Sequence, residues 1–511
     1  MRITIAFVVT ASVAAAQTTP TFQAGAKLVE VDVIAKNGAT PTAGLKQEDF
    51  TVFDNGKRQN IAFFSVRSMS ATRTSEAPLP PGTYSNRYAR GPEAGGNTIV
   101  LLLDQINTPQ ELQGFAIPRM LKFVESRPPQ DRIGIYTLNQ TGLHAAQELT
   151  SDRELLKAAA NRLQSRDPRQ RINDTSGMSA HEAMAYAAMN IAGPAQAVEF
   201  AMQEVARHLA GVPGRKTLVW VTTAFPLFDL SVGVDFRPEM EKAAHALNDA
   251  RVTLYSVDAR GLIGALDGLT AITRAEQKGP PPTARGVVMS MQRGEPVNPR
   301  GLNTEQMLSD LTGGLTFFNK SNAIEESIAT AVADADLTYT LGFYPDQNEQ
   351  DSRWHDLKVG VARHGVNLRY RRSYFAQRET DAISDRPALD RLLKEPLDAS
   401  QIQLLVRTAP NPDRAASLEV RVNVDLHDVQ FRREDAQRKG EIDLAFYVEG
   451  VEKVMNKTIQ LEIPDGQFAS FLEKGLDAET SIDEAAGARA LRVVVQDKAT
   501  GAAGSVTVPL P

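Results

Sequence analysis

The stretch Thr98–Asp104, TIVLLLD, runs directly into Gln105-Ile106-Asn107-Thr108-Pro109. A short apolar run without alternation is typical of a strand buried on both faces, as in a parallel sheet covered by helices. Pro109 marks a helix start just beyond Asp104, because proline favours the first helical turn. The stretch therefore predicts an α/β sheet in which one strand ends at a carboxylate.

Comparable apolar runs recur along the chain, with helical patterns between them. These runs are Ile99–Leu103, Arg132–Leu138, Thr217–Val221, Val252–Val257 and Leu315–Phe318. Between the second and third runs, Val198, Met202, Val205 and Leu209 follow the spacing of one helix face. Alternating strands and helices predict a Rossmann-like parallel sheet flanked by helices over residues 97–336.

Strand patterns lie on both sides of this α/β region. Residues 25–66 include Val29, Val31 and Val33 in strict alternation with acidic residues, and Phe50–Phe53 precedes a turn at Asn55-Gly56. Residues 337–375 return to strands, which we expect to complete a β-sandwich with residues 25–66. Residues 67–96 are expected to be an exposed linker, residues 376–400 a helical linker, and residues 401–511 a second β-sandwich.

The composition narrows the class of protein. The 511 residues carry 56 basic and 62 acidic side chains, a formal net charge of −6, so we expect no general attraction to nucleic acid. There is no cysteine, which rules out disulfides and thiolate chemistry. After the N-terminus, no apolar run approaches the roughly 18 residues that indicate a transmembrane helix.

The first residues have the pattern of a secretory signal peptide. Arg2 precedes the apolar run Ile3–Val9, and Ala14 and Ala16 fit a signal-peptidase site. We therefore expect residues 1–16 to be removed after Ala16, and the mature protein to be secreted or periplasmic.

Several motifs occur in the order of a von Willebrand factor type A (VWA) domain. They are the strand at 98–104, the strand at Arg132–Ile135, the segment Leu149–Asp152, the strand after Gly214, the segment Tyr255–Gly261 and Leu311–Gly314, preceded by Asp49–Gly56. With this order, residues 25–375 closely resemble the VWFA-related domain family known mostly from Acidobacteria. The resemblance implies a VWA-like fold and a binding role, without identifying a partner.

Metal-binding VWA domains surround one divalent cation with an Asp, two hydroxyl residues, a distant Thr and a second Asp. By resemblance, Asp104 matches the first Asp, Thr108 the second hydroxyl residue and Thr175 the distant Thr, with Mg²⁺ as the implied ion. Ile106 stands at the first hydroxyl position and has no ligand atom. The strand expected to end in the second Asp reads Val221-Thr222-Thr223, so we expect a degenerate metal site.

A purely structural interpretation competes with the metal site. Thr108 as N-cap, Pro109 at the first helical position and Glu111 three residues after the cap would form a capping box. Asp104 would then accept hydrogen bonds from the turn that follows it. Asp258, at the end of another strand, is either a further ligand or the cap of the next turn.

Ligands of open α/β sheets bind outside the carboxyl ends of the strands. We therefore predict a partner-binding face at this edge, formed by Asp104, Asn107, Thr108, Thr222, Thr223 and Asp258. Enzyme motifs are poor: no Gly-x-Ser-x-Gly occurs, and the seven His residues are scattered. Arg369, Arg371 and Arg372 are expected to form a solvated strand edge.

The sequence thus predicts an exported, non-enzymatic protein that mediates protein–protein interaction or adhesion without an obligatory cofactor. The alternatives are Mg²⁺-dependent adhesion through Asp104 and Thr108, a structural cell-envelope component, and, less favoured, a hydrolase using the loop at 259–302. We expect no nucleic-acid partner and no integral membrane segment in the mature chain.

Overall fold

The computed structural model describes residues 28–38, 40–68, 79–87, 97–139, 142–164, 180–223, 228–229, 234–259, 304–317, 337–345, 351–376, 387–412, 414, 417–451, 453–483 and 488–510. Within them the protein is a mixed α/β, strand-rich molecule with several sheets and seven α-helices. None of the described helices combines the length and apolar character needed to cross a bilayer. The predicted signal peptide and Thr175 lie outside the described residues.

Two sheets, built only from antiparallel pairs, form from residues 29–68 and 337–375. The first has the order β17-β1-β15-β5, with β2 on β1, and comprises β1 (Val29–Asn37), β2 (Thr40–Pro41), β5 (Phe63–Ser68), β15 (Leu337–Phe343) and β17 (Asn367–Arg369). The second has the order β18-β16-β3-β4 and comprises β3 (Phe50–Asp54), β4 (Lys57–Gln59), β16 (Trp354–Val361) and β18 (Ser373–Phe375). Val31, Val52 and Leu341 belong to one core shared by both sheets. We call the two sheets with this core the first sandwich.

The turn at Asn55-Gly56 has the positive φ angles, 45° and 82°, that a type I′ turn requires. It joins β3 to the short strand β4. The next strand along the chain, β5, does not pair with β3 or β4 but with β15. Strand β4 was not predicted, because its residues are polar and mostly exposed.

The central sheet has six strands in the order β14-β13-β10-β7-β8-β9. They are β7 (Thr98–Asp104), β8 (Arg132–Asn139), β9 (Gly142–Thr150), β10 (Lys216–Thr222), β13 (Val252–Asp258) and β14 (Thr316–Phe317). All neighbours pair in parallel except β8 and β9. The antiparallel β9 was not predicted, because its largely half-exposed residues lack a clear pattern. A separate small hairpin joins β11 (Phe228–Asp229) and β12 (Val234–Asp235).

Helices cover both faces of the central sheet. They are α1 (Gln110–Ser126), α2 (Arg153–Gln164), α3 (Ala180–Leu209), α4 (Arg237–Asp249) and α5 (Thr304–Thr312). The helices α1 and α2 pack on one face, and α3, α4 and α5 pack on the other. Val198, Met202, Val205 and Leu209 of α3 are fully buried, as their spacing predicted.

A second sandwich contains the C-terminal strands. One sheet has the order β24-β20-β19-β6 and comprises β6 (Thr83–Ser85), β19 (Leu404–Pro410), β20 (Ser417–Val424) and β24 (Leu476–Asp483). The other has the order β21-β22-β25-β26, with β23 on β22, and comprises β21 (Arg432–Glu434), β22 (Gln437–Glu449), β23 (Lys453–Pro464), β25 (Ala490–Asp497) and β26 (Ala503–Pro509). Helix α7 (Asp465–Lys474) packs Phe468 and Phe471 against the shared core.

Strand β6 lies within residues 67–96, the range expected to be an exposed linker. It pairs with β19, and the next residue, Asn86, is 9% exposed. The Asn86 side chain donates to the carbonyls of Ala399 and Ile402 and accepts from the Leu404 amide. Residues 83–86 therefore belong to the second sandwich. The sequence did not predict this strand, because it is short and its residues are mostly polar.

Residues 387–400 lie between α3 of the central domain, which comprises the central sheet and its helices, and the second sandwich; they include α6 (Leu389–Lys394). Arg207 of α3 forms a buried ion pair with Glu395, and Nη2 of Arg492 on β25 donates to the Leu397 carbonyl over 2.6 Å. Ser400 donates to the carbonyl oxygen of His208 over 2.6 Å. We call this set of contacts the α3 joint.

Two groups at the α3 joint titrate with raised pKa values. Burial, and then the negative charge of Glu395, raise the pKa of Glu204 from 4.5 to about 7, although it accepts from the Leu397 amide. Burial lowers the pKa of His208, but Glu148 and the Asp398 carbonyl outweigh it, so the pKa is raised. Both groups bind protons more tightly in the folded chain, so the joint loses stability as pH rises.

Replacing Glu204 with Gln tests this pH dependence. Because the wild-type contribution is complete below pH 4.5 and lost as pH rises through about 7, the variant should match wild type near pH 5 and exceed it near pH 8. The gain in free energy of unfolding should reach up to about 3 kcal/mol, measured by urea denaturation. Glu473→Gln, at an exposed position on α7, is the control; equal pH profiles for all three proteins would contradict the account.

Candidate functional site

The register of the central sheet sets three polar residues side by side at its carboxyl edge. Leu103 pairs with Val221, so the following residues, Asp104 and Thr222, are neighbours, and Thr222 pairs with Asp258. The strand order reverses between β7 and β10, because β8 follows β7 on one side and β10 lies on the other. Such a reversal opens a crevice at the carboxyl ends of the strands, where ligands of α/β sheets bind.

Asp104 fills this crevice and is fully buried. Its Oδ1 accepts the backbone N–H groups of Ile106 at 3.1 Å and Asn107 at 3.0 Å. Its Oδ2 accepts from Asn107 Nδ2 at 2.8 Å, Thr222 Oγ1 at 2.8 Å and Trp220 Nε1 at 3.3 Å. The carboxylate thus receives five hydrogen bonds, which we call the Asp104 network.

Two opposing effects act on the Asp104 carboxyl. Burial raises its pKa, whereas the bonds from Asn107, Thr222 and the Ile106 amide lower it, and the net direction is upward. A buried carboxylate is stable only when its oxygens are matched by donors. The network therefore compensates much of the desolvation that its position imposes.

A second contact ties the same loop to β10. The Thr223 hydroxyl donates to the Asn107 carbonyl, next to the bond from Thr222 to Asp104. Asn107 and Thr223 are each half-buried, so part of each remains at the surface. The loop after β7 is consequently fixed to the end of β10 by side chains from both strands.

Of the predicted face, Asp104, Asn107, Thr222 and Thr223 meet in direct contacts. Asp258 lies in the same row at 4% exposure. Trp220 was missed, because within a buried strand it had the pattern of an ordinary core residue. The available signal was its indole N–H, which needs an acceptor when buried.

The capping-box interpretation of Thr108 is wrong. Helix α1 begins at Gln110, with Pro109 as its N-cap and no side-chain cap bond. The Thr108 hydroxyl is buried and finds no partner among the described residues. Its backbone carbonyl instead accepts from Gln113 Nε2 at 2.7 Å, which anchors the start of the helix.

These residues do not fit a divalent cation. Mg²⁺ is typically held by carboxylate oxygens, yet both oxygens of Asp104 already accept protein donors. Ile106 packs against the core on the α3 side of the sheet, and the end of β10 provides hydroxyl groups only. The described residues contain no cluster of three or more His, Asp or Glu side chains that could hold a metal ion. Of the implied ligands, Thr108 alone retains a free hydroxyl there.

The structural role of Asp104 predicts an asymmetric response to substitution. Asp104→Asn places an amide where only acceptors fit, so it should lower the free energy of unfolding by about 2–4 kcal/mol. Thr108→Val removes a buried hydroxyl without a partner, so it should leave the free energy of unfolding unchanged or raise it by up to about 1 kcal/mol. Urea denaturation of both variants measures the difference; a neutral Asp104→Asn beside a destabilising Thr108→Val would overturn this assignment.

Comparisons with known proteins leave the family open. No protein-family model matches the chain, and no curated protein matches it. Among solved structures, it is similar to the SpRpn10 VWA domain, with 13% identity, a TM-score of 0.19 and coverage of 35% of this chain and 81% of that one. It is also similar to the human COPII-coat protein Sec24c, with 8% identity, a TM-score of 0.26 and coverage of 58% and 46%. Scores this low assign no family.

Proposed function

We propose that this chain is an exported binding protein whose central domain has the VWA-type, Rossmann-like fold and captures a partner protein without a metal ion. The observation that carries the proposal is the Asp104 network. It fills the crevice at the strand reversal with the protein's own side chains. That crevice would otherwise hold a small ligand.

The strand order supports the fold assignment. In the sheet ordered β9-β8-β7-β10-β13-β14, the chain forms the central strand β7 first. It then adds β8 and β9 on one side and afterwards β10, β13 and β14 on the other. This is the order of doubly wound α/β folds, here with one antiparallel edge strand. The motifs that resemble a VWA domain fall on β7, β8, β10 and β13 and on the turn after α5.

A filled crevice favours a macromolecular partner over a small molecule. Small-molecule sites are concave and mostly apolar, whereas this edge presents half-buried polar groups from Gln105, Asn107 and Thr223. The bonds from Thr222 and Thr223 hold the loop after β7 in place before a partner arrives. Preorganisation of this kind lowers the entropic cost of association.

Mg²⁺-dependent adhesion remains the second candidate, because the buried Thr108 hydroxyl lacks a partner among the described residues. It would require Asp104 to give up protein donors before it could bind the ion. The first candidate requires no such rearrangement, and chelation of divalent cations separates the two.

Matched substitutions test the binding face. Gln105 is half-buried at the carboxyl edge and bonds to Gln113 rather than to Asp104, so Gln105→Arg adds charge and bulk without touching the network. Envelope extract is passed over tagged full-length chain, and captured proteins are quantified by mass spectrometry. The bound partner should fall roughly tenfold, equivalent to about 1.4 kcal/mol.

Gln460→Arg introduces the same change at an exposed position on β23 and should leave capture intact. Addition of EDTA should also have no effect. Equal capture by both variants would refute the proposed face, and capture abolished by EDTA would establish the metal-dependent alternative.

Export is tested separately. The proposed cleavage after Ala16 predicts that protein purified from the producing cell's envelope fraction begins at Gln17. Intact-mass and N-terminal peptide measurements check this directly. A chain that retains Met1–Ala16 and fractionates with cytoplasmic proteins would contradict export.

A further inference from the structure

A small polar cavity lies at the edge of the central sheet opposite to Asp104. It separates β1 of the first sandwich from the amino ends of β10 and β13, and has a volume of about 20 Å³. Its polar wall includes Glu30, Asp32, Arg215, Arg251, Thr253 and Arg371. A water molecule needs roughly 10–15 Å³, so the cavity has room for one water or one monatomic ion.

Among the described residues, the charges around the cavity are unbalanced. The interacting cations are Arg67, Arg215, Lys216, Arg251, Arg369 and Arg371, and the interacting carboxylates are Glu30, Asp32 and Asp249. Arg251 pairs with both cavity carboxylates, with Glu30 at 3.0 Å and Asp32 at 3.1 Å. Within the described part of the chain, positive charge is therefore in excess around the cavity.

Two cavity arginines form no ion pair within the described residues. Arg215, which is 6% exposed, donates through Nε to Thr253 Oγ1 at 2.8 Å and through Nη2 to Tyr255 at 3.4 Å. Arg371 donates through Nη2 to the Glu30 carbonyl at 2.8 Å. Arg215 Nη1 and the Nε atoms of Arg251 and Arg371 are buried without an acceptor there. Each such group carries a desolvation cost that an acceptor in the cavity would remove.

Titration behaviour agrees with the excess of positive charge. Burial, and then repulsion from Arg251, lower the pKa of Lys216 to about 7. Burial alone would raise the pKa of Asp32, but the charges of Arg251 and Arg215 lower it to about 2. Lys216 therefore binds its proton weakly beside the same arginines that hold Asp32 ionised.

We propose that this cavity binds a small inorganic anion of the size of chloride, held by Arg215 and Arg371 between the first sandwich and the central domain. Water would accept the unpaired N–H groups but would leave the charge uncompensated. An anion does both, and it would add a further contact to the ion pairs from Arg251 to Glu30 and Asp32 that already join the two domains. The first sandwich would then be docked more firmly when the anion is bound.

The test uses the full chain in chloride-free buffer, titrated with sodium chloride while sodium gluconate keeps the ionic strength constant. Gluconate is too large for the cavity. The melting temperature, followed by calorimetry, should stay constant at chloride concentrations below the dissociation constant and then rise with the logarithm of the concentration, as linkage to a single site requires. A flat response, or a rise of equal size in all variants, would show that the cavity holds water only.

Variants give the sign of the effect. Arg215→Met should abolish the rise, whereas Glu30→Gln, which removes a negative charge from the wall, should lower the chloride concentration at which the rise begins. Arg58→Met, at an exposed position on β4, is the control and should behave as wild type. If Arg215→Met does not fold, Glu30→Gln still decides, because an unchanged or raised onset concentration overturns the proposal. In crystals grown with bromide, an anomalous peak is expected within hydrogen-bond distance of Arg215.

Discussion

The carboxylate of Asp104 is the constraint on which the carboxyl edge of the central sheet depends. A charge at the end of a fully buried strand is stable only if the surrounding chain supplies donors, and here they come from the next loop and from β10. Satisfying that one group fixes the loop after β7 and joins it to the neighbouring strand. The same bonds occupy the lone pairs that a cation would need, so stability and metal binding compete for one side chain.

The carboxyl and amino edges of the central sheet bury charges of opposite sign. At the carboxyl edge, one buried carboxylate is surrounded by neutral donors. At the amino edge, arginines from the central domain and the first sandwich crowd against Glu30 and Asp32, and their donors outnumber the acceptors. The Asp104 carboxylate accepts five hydrogen bonds within the described residues, whereas several arginine donors at the amino edge have no acceptor there. The α3 joint is a third polar contact, in which Arg207 and Glu395 neutralise each other.

The sequence predicted the parts of the fold in which burial leaves an unbroken pattern. The strands β7, β8, β10 and β13 are continuous apolar runs, and the buried face of α3 keeps its spacing. It missed β6 and β9, because short or half-exposed strands carry no distinctive periodicity. The rule for parallel sheets brought Asp104 and Thr222 together correctly. The hydrogen bond from the Trp220 indole to Asp104 and the absence of a cap bond from Thr108 to α1 depend on side-chain packing that no local pattern encodes. Arg369 and Arg371, expected on a solvated edge, are half-buried against the central domain, because β17 pairs with β1 there.

Calorimetric titration of the purified mature chain with Mg²⁺ and Mn²⁺, alongside Asp104→Ala, tests the central claim most directly. If the Asp104 network is a structural substitute for a metal ion, neither cation should produce saturable heat with either protein. Saturable binding by wild type that disappears in Asp104→Ala would show that the carboxylate is a working metal ligand, and the metal-free account of the binding face would be wrong.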